Sequence, residues 1–172
     1  MENKAFSIDF FTIRSDKNSS FEFSKYLDEL KNNKIPHIYS DSSNHFAIRN
    51  VSKSKAYYYG EFCKYRMDGL PHAGSANSGT ERELPIDPTE GLVEKNHFAY
   101  KFDDGVVIFQ RNGNASRGQK MGTYLTDLYD ETITLSPIVT GNSLKKIMSN
   151  KVDPIMLEVS IARPTSTSIF PP

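Results

Sequence analysis

The chain has 172 residues, of which 37% are hydrophobic and 24% charged, a composition typical of one globular domain and not of a disordered chain. Its 21 basic residues balance its 21 acidic ones, whereas proteins that coat long stretches of duplex nucleic acid need an excess of positive charge. The single cysteine, Cys63, excludes an internal disulfide and a cysteine-rich zinc module.

The sequence also limits where the protein acts and what it carries. No stretch approaches the roughly 20 apolar residues of a membrane-spanning helix, and the first residues lack the apolar core of a signal peptide. We therefore expect a soluble cytoplasmic protein that has no contact with a membrane. No known motif for a nucleotide, a metal or a catalytic elbow is present, so we predict no metal and no cofactor.

The N-terminal quarter predicts one strand followed by one amphipathic helix. Apolar and polar residues alternate over Ala5–Arg14, which is typical of a half-buried strand. Ser19 and Glu22 then form a capping box, and apolar residues recur at helical spacing until Pro36 stops the helix. These apolar residues are Phe23, Tyr26, Leu27 and Leu30.

The middle of the chain predicts two strands, a long excursion and a hairpin. The strands are His45–Asn50 and the very aromatic Lys55–Arg66. Met67–Asn96 holds three prolines and four glycines, so we expect a largely irregular segment that lies along the surface. His97–Phe102 and Val106–Arg111 then predict a hairpin closed by an Asp-Gly turn.

The last third predicts a second helix and further elements. The apolar face of this helix is Met121, Tyr124, Leu125 and Leu128. A strand over Thr132–Val139, a short helix over Asn142–Ser149 and a strand over Ile155–Ala162 follow, and the last connection is long enough for a parallel crossover. We predict an α+β fold: a mixed, largely antiparallel sheet with about three helices, in a single domain over residues 1–163 with an irregular tail over 164–172.

The aromatic strand mixes tyrosines with basic residues. Alternate residues of a strand share a face, so its tyrosines could stack unpaired bases while its cations contact phosphates. The same pattern also fits a strand whose tyrosines cover the core while its lysines stay in water. The candidate nucleic-acid-binding residues here are Lys55, Tyr57, Tyr59, Lys64, Tyr65 and Arg66.

A second candidate site lies where the hairpin ends and the second helix begins. Free backbone amides at a helix N-terminus attract anions, and basic side chains accompany them here. The candidate anion-binding residues are Arg111, Asn114, Ser116 and Arg117. In the alternative interpretation, Asn114 or Ser116 caps the helix and both arginines are solvated.

Catalytic residues are harder to find. His72 and His97 bracket much of the excursion and are weak candidates for the acid/base pair of a metal-independent nuclease, although solvated surface histidines fit the sequence as well. Cys63 lies within the aromatic strand, and we expect it to be buried and inert because no partner base can be named.

The chain contains an ordered series of short motifs: Tyr59–Phe62, Arg66–Pro71, Glu90–Leu92, His97–Tyr100, Val107–Asn112, Ala115–Arg117, Tyr124–Leu125, Leu135–Ile138, Leu144 and Leu157–Val159. This series resembles one that recurs in a family of uncharacterised proteins from bacterial genomes, prophages and mobile elements. The resemblance covers roughly Phe6 to Arg163. It implies a role in phage–host conflict, in defence or counter-defence, but no established activity. It also implies a recognition module alone, because other members continue beyond the last strand.

Three functions remain in view. The leading hypothesis is a non-enzymatic binding protein that contacts a protein partner, a nucleic acid or both. The alternatives are a small metal-independent nuclease or nucleotide-processing enzyme that uses His72, His97 and Arg111, and a self-assembling structural protein. The last would form a homo-oligomer by pairing an exposed sheet edge.

Overall fold

Seven strands form one sheet in the computed structural model, which describes residues 7–16, 23–139 and 149. With a separate two-stranded hairpin, the described residues form nine strands in chain order: β1 (Ser7–Ser15), β2 (Tyr39–Ser40), β3 (Asn44–Lys53), β4 (Tyr57–Arg66), β5 (Ala73–Gly74), β6 (Glu81–Arg82), β7 (Leu92–Lys101), β8 (Val106–Arg111) and β9 (Ile133–Pro137). The helices of this described part are α1 (Phe23–Lys31) and α2 (Gly118–Tyr129). These elements all belong to one compact unit, Met1–Ile138, and residues 139–172 form a separate unit.

The sheet order is β2-β3-β4-β7-β8-β1-β9, and β5 and β6 pair separately as a small hairpin. Every pair of described strands is antiparallel. The N-terminal strand therefore lies inside the sheet, where Phe11 pairs with Val107 on one side and Pro137 on the other. The predicted α+β fold with a largely antiparallel sheet is confirmed.

Part of the fold prediction lies outside the described residues. This holds for the capping box at Ser19 and Glu22, the helix over Asn142–Ser149, the strand over Ile155–Ala162 and the parallel crossover between them. The sequence predicted about three helices, and the residues that the structure describes contain two of them.

The core forms between one face of the sheet and the two helices. The four apolar residues predicted for the first helix are all buried, and Leu27 is 0% exposed. Tyr124 of α2 packs against Phe62 of β4 with ring centroids 5.7 Å apart. Its hydroxyl also forms a 2.6 Å hydrogen bond with that of Tyr26 in α1, so the two helices are joined above the sheet. Aromatic side chains thus supply much of the core volume.

The excursion ends earlier than the sequence predicted. Its predicted end at Asn96 is wrong, because β7 already begins at Leu92 and pairs with the last residues of β4. Glu94 is charged and therefore suggested a loop in the sequence, but in the structure its carboxylate forms a 2.9 Å ion pair with Lys64 of the neighbouring strand. Gly91 permits this entry, since a Cβ there would lie 2.8 Å from the Arg66 carbonyl oxygen.

Candidate functional site

Both described helices pack on the same face of the sheet. Tyr58 and Phe62 of β4 point toward them, and side chains alternate along a strand, so Tyr57 and Tyr59 lie on the opposite face. Neither α1 nor α2 covers that face, which we call the open face. A binding site on it would be formed by side chains of neighbouring strands.

A row of apolar side chains crosses the open face at right angles to the strands. Backbone pairing aligns Tyr59 with Ala99, and Ala99 with Ile108. Ile108 pairs with Phe10, whose carbonyl accepts a 2.8 Å hydrogen bond from the amide of Ile138. Tyr59, Phe10 and Ile138 are 44%, 47% and 40% exposed. We call these five residues the apolar row.

The apolar row borders a shallow depression of about 410 Å³. Ile8, His97, Phe98 and Gln110 complete its lining beside members of the row. The exposed face of an antiparallel sheet is ordinarily polar, whereas this apolar row runs over β4, β7, β8 and β1 to the first residue after β9.

One end of the open face carries positive charge, and we call Arg14, Lys55 and Lys101 the basic end. Lys101 closes β7 beside Tyr57 and forms an ion pair with Asp104 of the following turn. The side chains of Arg14 and Lys55 are exposed, and neither forms an ion pair with another described residue.

The opposite end of the open face meets the excursion and is acidic. Residues of the excursion and of the sheet line an open recess of about 460 Å³ there, and the lining includes Tyr65, Val93, Ile86 and Glu90. Asp87 lies beside it and holds the loop, because its carboxylate accepts hydrogen bonds from the amide and hydroxyl of Thr89. Between this end and the apolar row, the open face also carries Arg49 and Lys95, which contact Tyr65 and Glu61.

Between the two ends, the carboxylate of Glu61 is paired with neighbouring side chains. Burial would raise the pKa of Glu61, but hydrogen bonds from Lys95 (2.7 Å) and Asn50 (2.8 Å) outweigh burial and lower it.

Cys63 lies beyond Glu61 in β4 and is fully buried, which raises the pKa of its thiol to about 11. The predicted burial of Cys63 is confirmed.

The structure divides the predicted nucleic-acid-binding residues of the aromatic strand between two faces. Tyr57, Tyr59 and Tyr65 share the open face, and the rings of Tyr57 and Tyr59 lie 6.1 Å apart. Lys55 lies in the turn beside them, at the basic end. Lys64 and Arg66 point to the other face, where both approach Glu94 at 2.9 and 3.8 Å. These two cations therefore do not flank the tyrosines.

The predicted anion-binding residues gather around a recess of about 470 Å³ at the start of α2. Arg111, Ser116 and Arg117 line it, whereas Asn114 is an exposed residue of the loop between them. The guanidinium of Arg111 is already engaged, because its Nε and Nη2 donate to both carboxylate oxygens of Asp9 at 3.1 and 2.6 Å. This carboxylate lowers the attraction of the recess for a further anion.

Neither predicted capping residue caps α2. Arg117 occupies the N-cap position with extended backbone, and no side chain caps the helix there. The loop is instead fixed by a side chain that the sequence analysis did not select. Asn96 of β7 is 0% exposed, donates to the Ser116 carbonyl (2.5 Å) and accepts from the Asn112 amide (3.1 Å). Its signal in the sequence was only a polar residue at a core-facing position.

The two candidate catalytic histidines line different depressions. His72 lies with Leu70 and Glu81 beside the β5–β6 hairpin, and its imidazole is 3.6 Å from the Glu81 carboxylate. His97 lies in the middle of β7 beside the apolar row. Their placement thus gives no support to an acid/base pair.

Within residues 7–16 and 23–139, no three histidine, cysteine, aspartate or glutamate side chains are grouped closely enough to hold a metal ion. Helices in this part of the chain are too short and too polar to cross a bilayer.

The fold and the open face define a class: an α+β protein in which helices cover one side of an antiparallel sheet and an apolar row crosses the other. The chain belongs to a family of unknown function, DUF6731, whose model matches residues 1–163. The resemblance seen in the sequence is therefore confirmed. No curated protein and no solved structure matches the chain.

Proposed function

We propose that this protein is a non-enzymatic binding protein in phage–host conflict and contacts its partner through the apolar row. The observation that carries the binding role is that row, which runs over four strands and the first residue after β9 in a sheet that is otherwise well packed. Water-exposed apolar area of this kind is stabilised when a partner covers it, at about 25 cal/mol per Å².

The setting of phage–host conflict rests on the sequence resemblance to proteins of prophages and mobile elements. It places the partner in the cytoplasm, among the macromolecules that an infecting phage and its host share. Defence and counter-defence both require that such a protein recognise one target and hold it, which a rigid sheet face does without catalytic residues.

A plaque assay with matched surface variants tests this function. Cells that express the protein are challenged with a panel of phages, in one host with its defence systems and one without them. We expect plaque counts to fall if the protein defends the host, and to rise only in the host with defences if it counters them.

The variant Phe10→Asp places a charge in the apolar row, and Ile35→Asp is its control, because Ile35 is 85% exposed in a loop outside the sheet. We expect Phe10→Asp to abolish the change in plaque counts and Ile35→Asp to preserve it, while both melt like the wild type. Unchanged plaque counts for the wild type in both hosts would refute the setting. An active Phe10→Asp variant would refute the role of the row.

A further inference from the structure

We infer that the partner on the open face is a single-stranded nucleic acid, which runs across the strands along the apolar row. This inference rests on the proposed function and names the partner of the same surface. It draws on the arrangement of the aromatic rings, on the position of the charges and on the neutral total charge of the chain.

The rings of the apolar row suit stacking with separate bases. Tyr59 and Phe10 are its two aromatic members, and Ala99 and Ile108 lie between them on adjacent strands. Three strand spacings separate the rings by roughly 14 Å, so each can receive a different base of one short strand. The small side chain of Ala99 leaves the flank of Tyr59 open, and Tyr57 supports that ring from the other side at 6.1 Å.

The charged side chains around the apolar row determine the path of the bound nucleic acid across the sheet. Arg14, Lys55 and Lys101 lie along one side of the apolar row, where the phosphates of a bound nucleic acid would pass, and Lys101 would exchange its ion pair with Asp104 for a phosphate. The other side leads toward Glu90 and Asp87 of the excursion, which repel phosphates. A nucleic acid that followed the strands would meet those acids, so the favourable path crosses the sheet.

Single strands fit this surface better than a duplex. In a duplex the base faces are stacked on one another and are unavailable to Tyr59 and Phe10. Duplex binding would instead depend on many phosphate contacts, and a chain with 21 basic and 21 acidic residues offers no large cationic surface for them. The geometry therefore predicts a short site that takes unpaired bases with little sequence preference.

Fluorescence anisotropy of labelled 12-nucleotide oligothymidylate and oligouridylate tests this inference with the full chain. We expect binding to weaken roughly 10- to 20-fold between 50 and 200 mM salt, since contacts with three phosphates give a slope of about −2 in log–log form. An unlabelled duplex of the same length should compete poorly.

Matched variants separate stacking from charge. Tyr59→Ala and Phe10→Ala should each weaken binding by about tenfold with an unchanged salt dependence, because each removes one stacking ring. Replacing Arg14 and Lys55 with Gln should flatten the salt dependence by about two thirds. Ile35→Ala should change neither quantity. Thermal unfolding of each variant confirms that the fold is retained.

The possible failures distinguish this inference from the proposed function. If neither oligonucleotide binds at 50 mM salt while Phe10→Asp still abolishes the effect on plaques, a protein occupies the face and the inference is refuted. If the oligonucleotides bind but Tyr59→Ala and Phe10→Ala leave the affinity unchanged, the nucleic acid does not use this face. If the Phe10→Asp variant also changes plaque counts as much as the wild type does, the proposed function is refuted as well.

Discussion

Replacing Asn96 with leucine should destabilise the protein strongly, although the two side chains have similar volumes. The change leaves the Ser116 carbonyl and the Asn112 amide without their hydrogen-bond partner in a place where Asn96 is 0% exposed. Each buried group without a partner costs about 1–3 kcal/mol. We therefore expect the free energy of unfolding to fall by about 2–5 kcal/mol, since water at the loop can satisfy part of the loss.

Urea denaturation and calorimetry measure this change. A loss of that size lowers the melting temperature of a chain of this length by roughly 5–15 °C. The control is Asn114→Ala in the same loop, because Asn114 is exposed and its replacement should cost less than about 0.5 kcal/mol. An Asn96→Leu variant as stable as this control would show that Asn96 does not fix the loop.

Three further predictions concern the core, the thiol and one surface ion pair. Leu27→Ala should lower the free energy of unfolding by about 2–5 kcal/mol in urea denaturation, because Leu27 is fully buried between α1 and the sheet; a change below about 1 kcal/mol would contradict this packing. Cys63 should resist iodoacetamide at pH 8 and react only in denaturant, since burial raises its pKa to about 11; rapid native labelling would contradict its burial. Burial would raise the pKa of Asp41, but hydrogen bonds led by that of Lys120 (2.8 Å) lower it to about 2. Because the pKa of Asp41 is lower in the folded than in the unfolded protein, its ionised carboxylate stabilises the fold above about pH 4, and this stabilisation is lost as the pH falls toward 2. Asp41→Asn should lower the free energy of unfolding by about 1–2 kcal/mol at pH 7. It should also reduce the pH dependence of the stability that urea denaturation measures between about pH 4 and about pH 2.

Local periodicity predicted the elements well where one face of each is buried. The helical spacing from Phe23 to Leu30 and the alternation of β4 both follow from a single buried face, which one segment of sequence reveals. The start of β7 was missed because Glu94 and Lys95 read as loop residues. Their charges are satisfied by Lys64 and Glu61 on the neighbouring strand, and such pairing is invisible within one segment.

The candidate site was predicted only in part for the same reason. Periodicity correctly placed Tyr57, Tyr59 and Tyr65 on one face, but it could not say which face the helices leave open. It also grouped Lys64 and Arg66 with these tyrosines, although residues separated by an odd number of positions point to opposite sides of a strand. Phe10 was not predicted as a site residue, because the alternation places it with Ile8 on the apolar side of the first strand, whereas the structure buries Phe11 and leaves Phe10 47% exposed.

The zero net charge of the chain has a different meaning once the charges have positions. As a total, it disfavours a large nucleic-acid footprint such as that of a duplex-coating protein. As a distribution over the open face, it separates Arg14 and Lys55 at one end from Glu90 at the other, with the apolar row between them. A ligand with both apolar faces and negative charge can satisfy this surface only in one orientation, with its charges on the basic side. A single-stranded nucleic acid is such a ligand, and a purely apolar partner would leave the cations of the basic end unused.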